Sequence, residues 1–190
     1  YKTRNDFRFE AGANLVGALA SKSIVNQNAV YGFIDRLYVS GHWRMLRIDV
    51  GMKPRERTLS DVSISGGNIS YSRNARNMPG INAWSDWIYF EKGHWVGIKG
   101  NLAHYHMFDD RMVRGTMVHD KSLSLKIALG RKVDIMGGLH HYAQWGGYSP
   151  DPSIGQQAQS FRDYIKVFFA KRGDASDSVS DQLNIFGNLI

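Results

Sequence analysis

Hydrophobic and polar residues alternate with period two along most of this chain. In FRFEAGANL the apolar set Phe7, Phe9, Ala11, Ala13 and Leu15 stands against Arg8, Glu10, Gly12 and Asn14. Side chains two apart share one face of a sheet, so such a block predicts a strand with one greasy and one polar side. RMLRIDVGM places Leu46, Ile48, Val50 and Met52 opposite Arg47 and Asp49, and WVGIKGNL places Val96, Ile98 and Leu102 opposite Lys99 and Asn101. SLSLKIAL (Leu123, Leu125, Ile127, Leu129, with Lys126 opposite) and KVDIMGGL (Val133, Ile135, Leu139 against Lys132 and Asp134) follow the same rule. Ile165, Val167 and Phe169 around Lys166 predict one more strand, and QLNIFGNLI a last one. AVYGFIDRLYVS breaks the parity, because the adjacent Asp35 and Arg36 would take opposite faces.

The blocks are about ten residues long, the length of a tilted membrane strand, while no apolar run approaches the ~20 residues of a membrane helix. Short connections are expected at residues 40–42, 91–94 and 130–131, and long ones at 20–28, 53–83, 108–120 and 146–160. Alternating short turns and long loops are the habit of outer-membrane barrels. The rhythm holds only if 53–83 contains no full crossing but short β pieces at or in the barrel mouth. The fold expected is therefore all-β, an antiparallel transmembrane β-barrel with about nine crossings in this chain, part of a larger barrel. Leucine and isoleucine faces would meet lipid, and Arg47, Asp49, Lys99, Lys126, Lys132, Asp134 and Lys166 would point inward. A soluble β-barrel or sandwich with one wet face carries the same alternation and is the competing architecture.

Composition sharpens this only in places. Aromatic residues make up 12% and recur at the ends of the blocks, where amphipathic rings suit a water boundary. The chain has no cysteine, which excludes disulfides and thiolate metal sites. Its +7 charge comes from 24 Lys and Arg spread along the chain, with no zinc-finger, helix-turn-helix or RNP-type motif, so nucleic acid is not the expected partner. The opening YKTRNDFRFE has neither initiator Met nor signal segment, which suggests a piece of a longer chain.

One polar segment stands out, YSRNARNMPG at residues 71–80, preceded by the β-like SISGGNISY. The span 59–95, with S-x-N-A-R-x-x-P-G read as Ser72, Asn74, Ala75, Arg76, Pro79 and Gly80, resembles the Wzi-like capsule assembly outer-membrane proteins. Weaker similarity, in strand rhythm and in YAQWGG at 142–147, runs along most of the chain. The resemblance implies an outer-membrane β-barrel that helps hold capsular polysaccharide at the cell surface, without catalytic residues or cofactor. Members of that family are longer, so this chain resembles a middle portion of one.

For an acidic polysaccharide, Arg73 and Arg76 offer planar, always-charged forks, Asn74 and Asn77 can pair with hydroxyls, and Tyr71, Trp84 and Trp87 can stack on sugar faces. The same residues could instead plug the mouth. In that reading the arginines pair with Asp49, Asp61 or Asp86, and Trp84 and Trp87 belong to an interfacial girdle. His104 and His106 share a strand face but lack a third ligand, so no metal is expected, and the adjacent His140 and His141 face opposite ways. Asp109, Asp110 and His106 at a rim would suit a hydrolase, yet no G-x-S-x-G elbow is present. The functional expectation is non-catalytic glycan binding in capsule assembly, the alternatives being a porin-like or hydrolytic outer-membrane barrel and a soluble glycan-binding β-protein.

Overall fold

The period-two blocks become one antiparallel sheet in the computed structural model, which describes residues 7–19, 30–55, 75–90, 93–108, 112–130 and 132–171. Its strands are β1 (Phe7–Leu19), β2 (Val30–Trp43), β3 (Leu46–Met52), β4 (Gly80–Ser85), β5 (Ile88–Tyr89), β6 (Val96–His106), β7 (Met117–Leu129) and β8 (Val133–Trp145). They follow in the order β1-β2-β3-β4-β6-β7-β8, with the two-residue β5 paired to β6. β1 and β8 are the open edges of the sheet among the described residues.

Most ladder positions join residues of like character. Phe9 faces Gly41, Val39 faces Val50, Ile98 faces Leu125 and Leu123 faces Leu139, while Glu10 faces Ser40, Asp49 faces Asn82 and Asn101 faces Ser122. The apolar face thus runs across all the long strands, and toward the β6–β7 connection it gives way to His104, His119, Lys121 and His141. It is uncovered at both edges, with Phe9 on β1 79% exposed and Leu139 on β8 82% exposed. The expected facing of Leu46, Ile48, Val50, Leu123 and Leu125 against Arg47, Asp49, Lys99 and Lys126 is the one observed. Lys126 reaches Asp134 on its own face, 2.6 Å away.

The parity conflict at Asp35 is a β-bulge. Asn14 pairs with Arg36 and Leu15 with Ile34, so Asp35 has no partner on the ladder. One extra residue resets the alternation. Leu15 and Ile34 then continue the apolar side begun by Ala13 and Leu37, and Asp35 binds Arg36 Nε (3.1 Å) and Asn14 Nδ2 (3.3 Å).

The structure corrects three of the expected boundaries. The first tight turn is Arg44–Met45, between the paired Trp43 and Leu46, because Arg44 takes a left-handed φ of 53°. β4 begins at Gly80, inside the span expected to hold no crossing, and pairs on both sides. Residues 161–168 form a helix, α1 (Phe161–Phe168), where a strand through Ile165, Val167 and Phe169 was expected. That removes one of the nine expected crossings, and QLNIFGNLI lies outside the described residues.

α1 forms because a capping signature precedes a helical apolar pattern. Ser160 Oγ accepts from the Asp163 backbone N–H, and Asp163 accepts from the Ser160 backbone N–H (2.9 Å) and hydroxyl (2.6 Å). Such a cap contributes about 1 kcal/mol. Burial acts to raise the Asp163 carboxyl, but the Ser160 hydrogen bonds and the Lys166 ammonium outweigh it and hold the group below its ordinary value. Its contribution is therefore present at neutral pH and lost as pH falls through that lowered value.

Candidate functional site

The polar face is hollow. Residues from β1 to β8, among them Glu10, Arg47, Lys99, Ser122 and His140, line one cavity of about 740 Å³. Because both edge strands contribute, the sheet must curl around this space.

Asp49 is the centre of its polar wall. The carboxyl is buried, 6% exposed, and accepts three hydrogen bonds: from Ser40 Oγ (2.6 Å), Lys53 Nζ (2.8 Å) and Trp84 Nε1 (2.7 Å). A buried carboxylate is tolerable only with such compensation. Lys53 also bonds Ser40 Oγ (2.8 Å), lies 3.6 Å from Glu10 and stands 5.1 Å above the Tyr38 ring, whose hydroxyl donates to Glu10 at 2.6 Å. Around Trp84, the Arg47 guanidinium lies 4.5 Å and the Lys99 ammonium 5.8 Å from the ring centroid. Arg47 completes the group by binding Asp86 at 2.7 Å.

These contacts correct the expected pairings. Asp49 is held by Lys53, Ser40 and Trp84, and Asp86 by Arg47, so neither carboxylate serves Arg76. Trp84 shares the polar face with Asn82 and belongs to no outward girdle. Arg47 and Lys99 lie against its ring, which also limits its expected role in stacking on a sugar. Trp87 is half-buried in the link between β4 and β5. Tyr71, Arg73 and Asn74, with Asp61, Asp109 and Asp110, lie outside the described residues.

The end of the polar segment crosses the mouth of the hollow at the end away from the tight turns. Asn77 Nδ2 donates to the Asp35 backbone carbonyl (2.9 Å) on β2, and the exposed Arg76 guanidinium lies 4.4 Å over the Phe33 ring. Met78 packs on Ala103, Tyr105, Met107 and Val118, and the Pro79 carbonyl accepts from His106 N–H at 2.9 Å. The bulge at Asp35 thus supplies the dock for Asn77. Its broken parity was the signal in the sequence, whereas nothing marked Met78 or Lys53.

Gly80, which closes the segment, is dictated by contact. A Cβ there would lie 2.2 Å from the His104 carbonyl oxygen and 2.8 Å from Tyr105 Cα, so β4 could not stay against β6. Its cross-strand partner Gly51, at φ +107°, is equally tight, 2.2 Å from the Leu37 carbonyl. Gly80→Ala should therefore destabilise the protein by about 1 to 3 kcal/mol, the usual cost of overpacking. Thermal unfolding measures it, and a wild-type midpoint would refute this contact.

The histidines divide by face as expected. His140 Nε2 lies 2.7 Å from Asp120 on the polar face, while His141 faces His119 on the other, ring centroids 5.6 Å apart. No cluster of His, Cys, Asp or Glu suited to a metal ion occurs among the described residues. Comparisons with protein-family models, curated proteins and solved structures find no match.

Proposed function

We propose that this chain is a wall segment of an outer-membrane β-barrel of capsule-assembly type. It binds or guides capsular polysaccharide at its mouth without catalysis. The observation that carries the membrane part is the apolar band that crosses every long strand of a curled sheet whose other face holds Asp49, Lys53, Arg47 and Lys99. From Phe7 to Leu15 that face runs about 27 Å at ~3.4 Å per residue. A tilt of about 40° projects this to roughly 20 Å, close to the apolar band of about 25 Å in such barrels. Aromatic rings flank it at the tight-turn end, where Phe7 and Trp43 stack at 6.0 Å and Phe90 and Trp95 are exposed. An exposed apolar surface of this extent on a water-soluble monomer would invite aggregation.

The glycan part rests on the resemblance of 59–95 and on the placement of Arg76 at the mouth. Two of the carboxylates expected to pair with it, Asp49 and Asp86, are held by Lys53 and Arg47, which favours an anionic partner from outside. Replacing Arg73 and Arg76 together by Gln should then lower the amount of anionic capsule retained on cells, with heat stability in detergent unchanged. Wild-type retention would contradict the reading. A fall in stability without loss of retention would make the segment a plug.

A further inference from the structure

α1 returns from β8 onto the apolar face of the sheet. Val167 packs with Ala143 and Trp145, and Tyr164 and Phe168 place their rings 5.7 and 5.5 Å from His119. Lys121 hydrogen-bonds the Phe168 carbonyl. These partners share a ladder face with Leu102, Leu123 and Leu139, so the helix covers the wall just beyond the apolar band, at the end of the long connections. Among the described residues only one side of it packs. Phe161 (78% exposed), Ile165 (38%) and Phe169 (61%) point away from the sheet, and Arg162 and Lys171 are exposed beside them. Phe108, also exposed, lies 4.3 Å from the ring of His106, which faces the same way. A short helix with an outward aromatic edge and flanking cations, set where an apolar wall ends, has the composition of a membrane-interface element.

We infer that α1 is an interfacial anchor. Phe161, Ile165 and Phe169 lie in the headgroup–acyl boundary of the leaflet on the long-connection side, with Arg162 and Lys171 beside its lipid phosphates. This rests on the membrane reading above and adds a lipid contact outside the strands. Two features select lipid over a protein partner: the apolar edge is continuous with the strand face, and its flanking charge is basic, complementary to anionic headgroups.

The chain contains no cysteine, so single cysteines can carry a nitroxide spin label at a chosen site. Labels at Phe161, Ile165 and Phe169 are compared with Leu125 in the apolar band and Ser153 in a turn. The full chain is placed in phosphatidylethanolamine–phosphatidylglycerol vesicles, and collisions with oxygen and with a water-soluble nickel chelate are read. The expected oxygen-to-nickel ratio at the three helix sites is several-fold above that at Ser153 and below that at Leu125. Nickel access at the helix equal to that at Ser153, with Leu125 still in lipid, overturns the anchor alone. Low collision with both reagents means a protein covers the helix and overturns it equally. Nickel access at Leu125 as well removes the membrane reading, and the anchor with it.

Discussion

Asp49→Ala is expected to destabilise the protein by about 3 to 5 kcal/mol, the usual consequence of removing one partner from a buried ion pair. The carboxyl is the common acceptor of Ser40, Lys53 and Trp84, so its loss takes an acceptor from three donors at once. Lys53 suffers most, because Glu10, 3.6 Å away and more exposed, replaces little of what Asp49 supplies at 2.8 Å. Asp49→Asn keeps the shape but not the charge, and its loss should fall below that of the alanine variant. Thermal or denaturant unfolding in micelles reads both. An alanine variant with the wild-type midpoint would mean that Asp49 does not hold this wall together.

On the proposed membrane reading, Leu125→Arg is the second large expectation, at about 2 to 4 kcal/mol for a cation placed near the bilayer midplane. Leu125 lies opposite Ile98 and Gly137 on the apolar side, where no strand residue among those described offers a carboxylate to receive it. The control is Ser122→Arg on the same strand. Ser122 faces Asn101 and His140 across the hollow face, near Asp120, and an arginine there should leave folding close to wild type. Folded yield in lipid and heat-modifiable gel mobility measure the pair. Equal tolerance of the two substitutions would contradict a lipid-facing assignment.

The strands and their facing were legible because a side-chain period of two survives in each block without help from distant residues. Elsewhere the chain used local devices that the pattern hides. Arg44 turns the chain in a left-handed conformation where glycine or asparagine would have been the visible sign. The expectation that 53–83 holds no crossing hid the start of β4, where Gly80 lets the strand approach β6, and with it the facing of Trp84. Counted from Gly80, Trp84 shares the face of Asn82 and must point inward. In α1 the apolar residues at 165, 167 and 169 mimic a strand, while Phe161, Tyr164, Ile165 and Phe168 fit a helix behind the S-x-x-D cap. Lys53 lies beyond the end of β3, and only the folded chain returns it to Asp49.

The central claim, that the apolar face meets lipid and the charged face does not, is tested most directly along β7. Single cysteines at Leu123, Ser124, Leu125, Lys126 and Ile127 carry a fluorophore in turn, in vesicles containing nitroxide-labelled lipid. The account predicts quenching that alternates with period two, strong at 123, 125 and 127 and weak at 124 and 126. Weak quenching at all five positions, or no alternation between them, would contradict it.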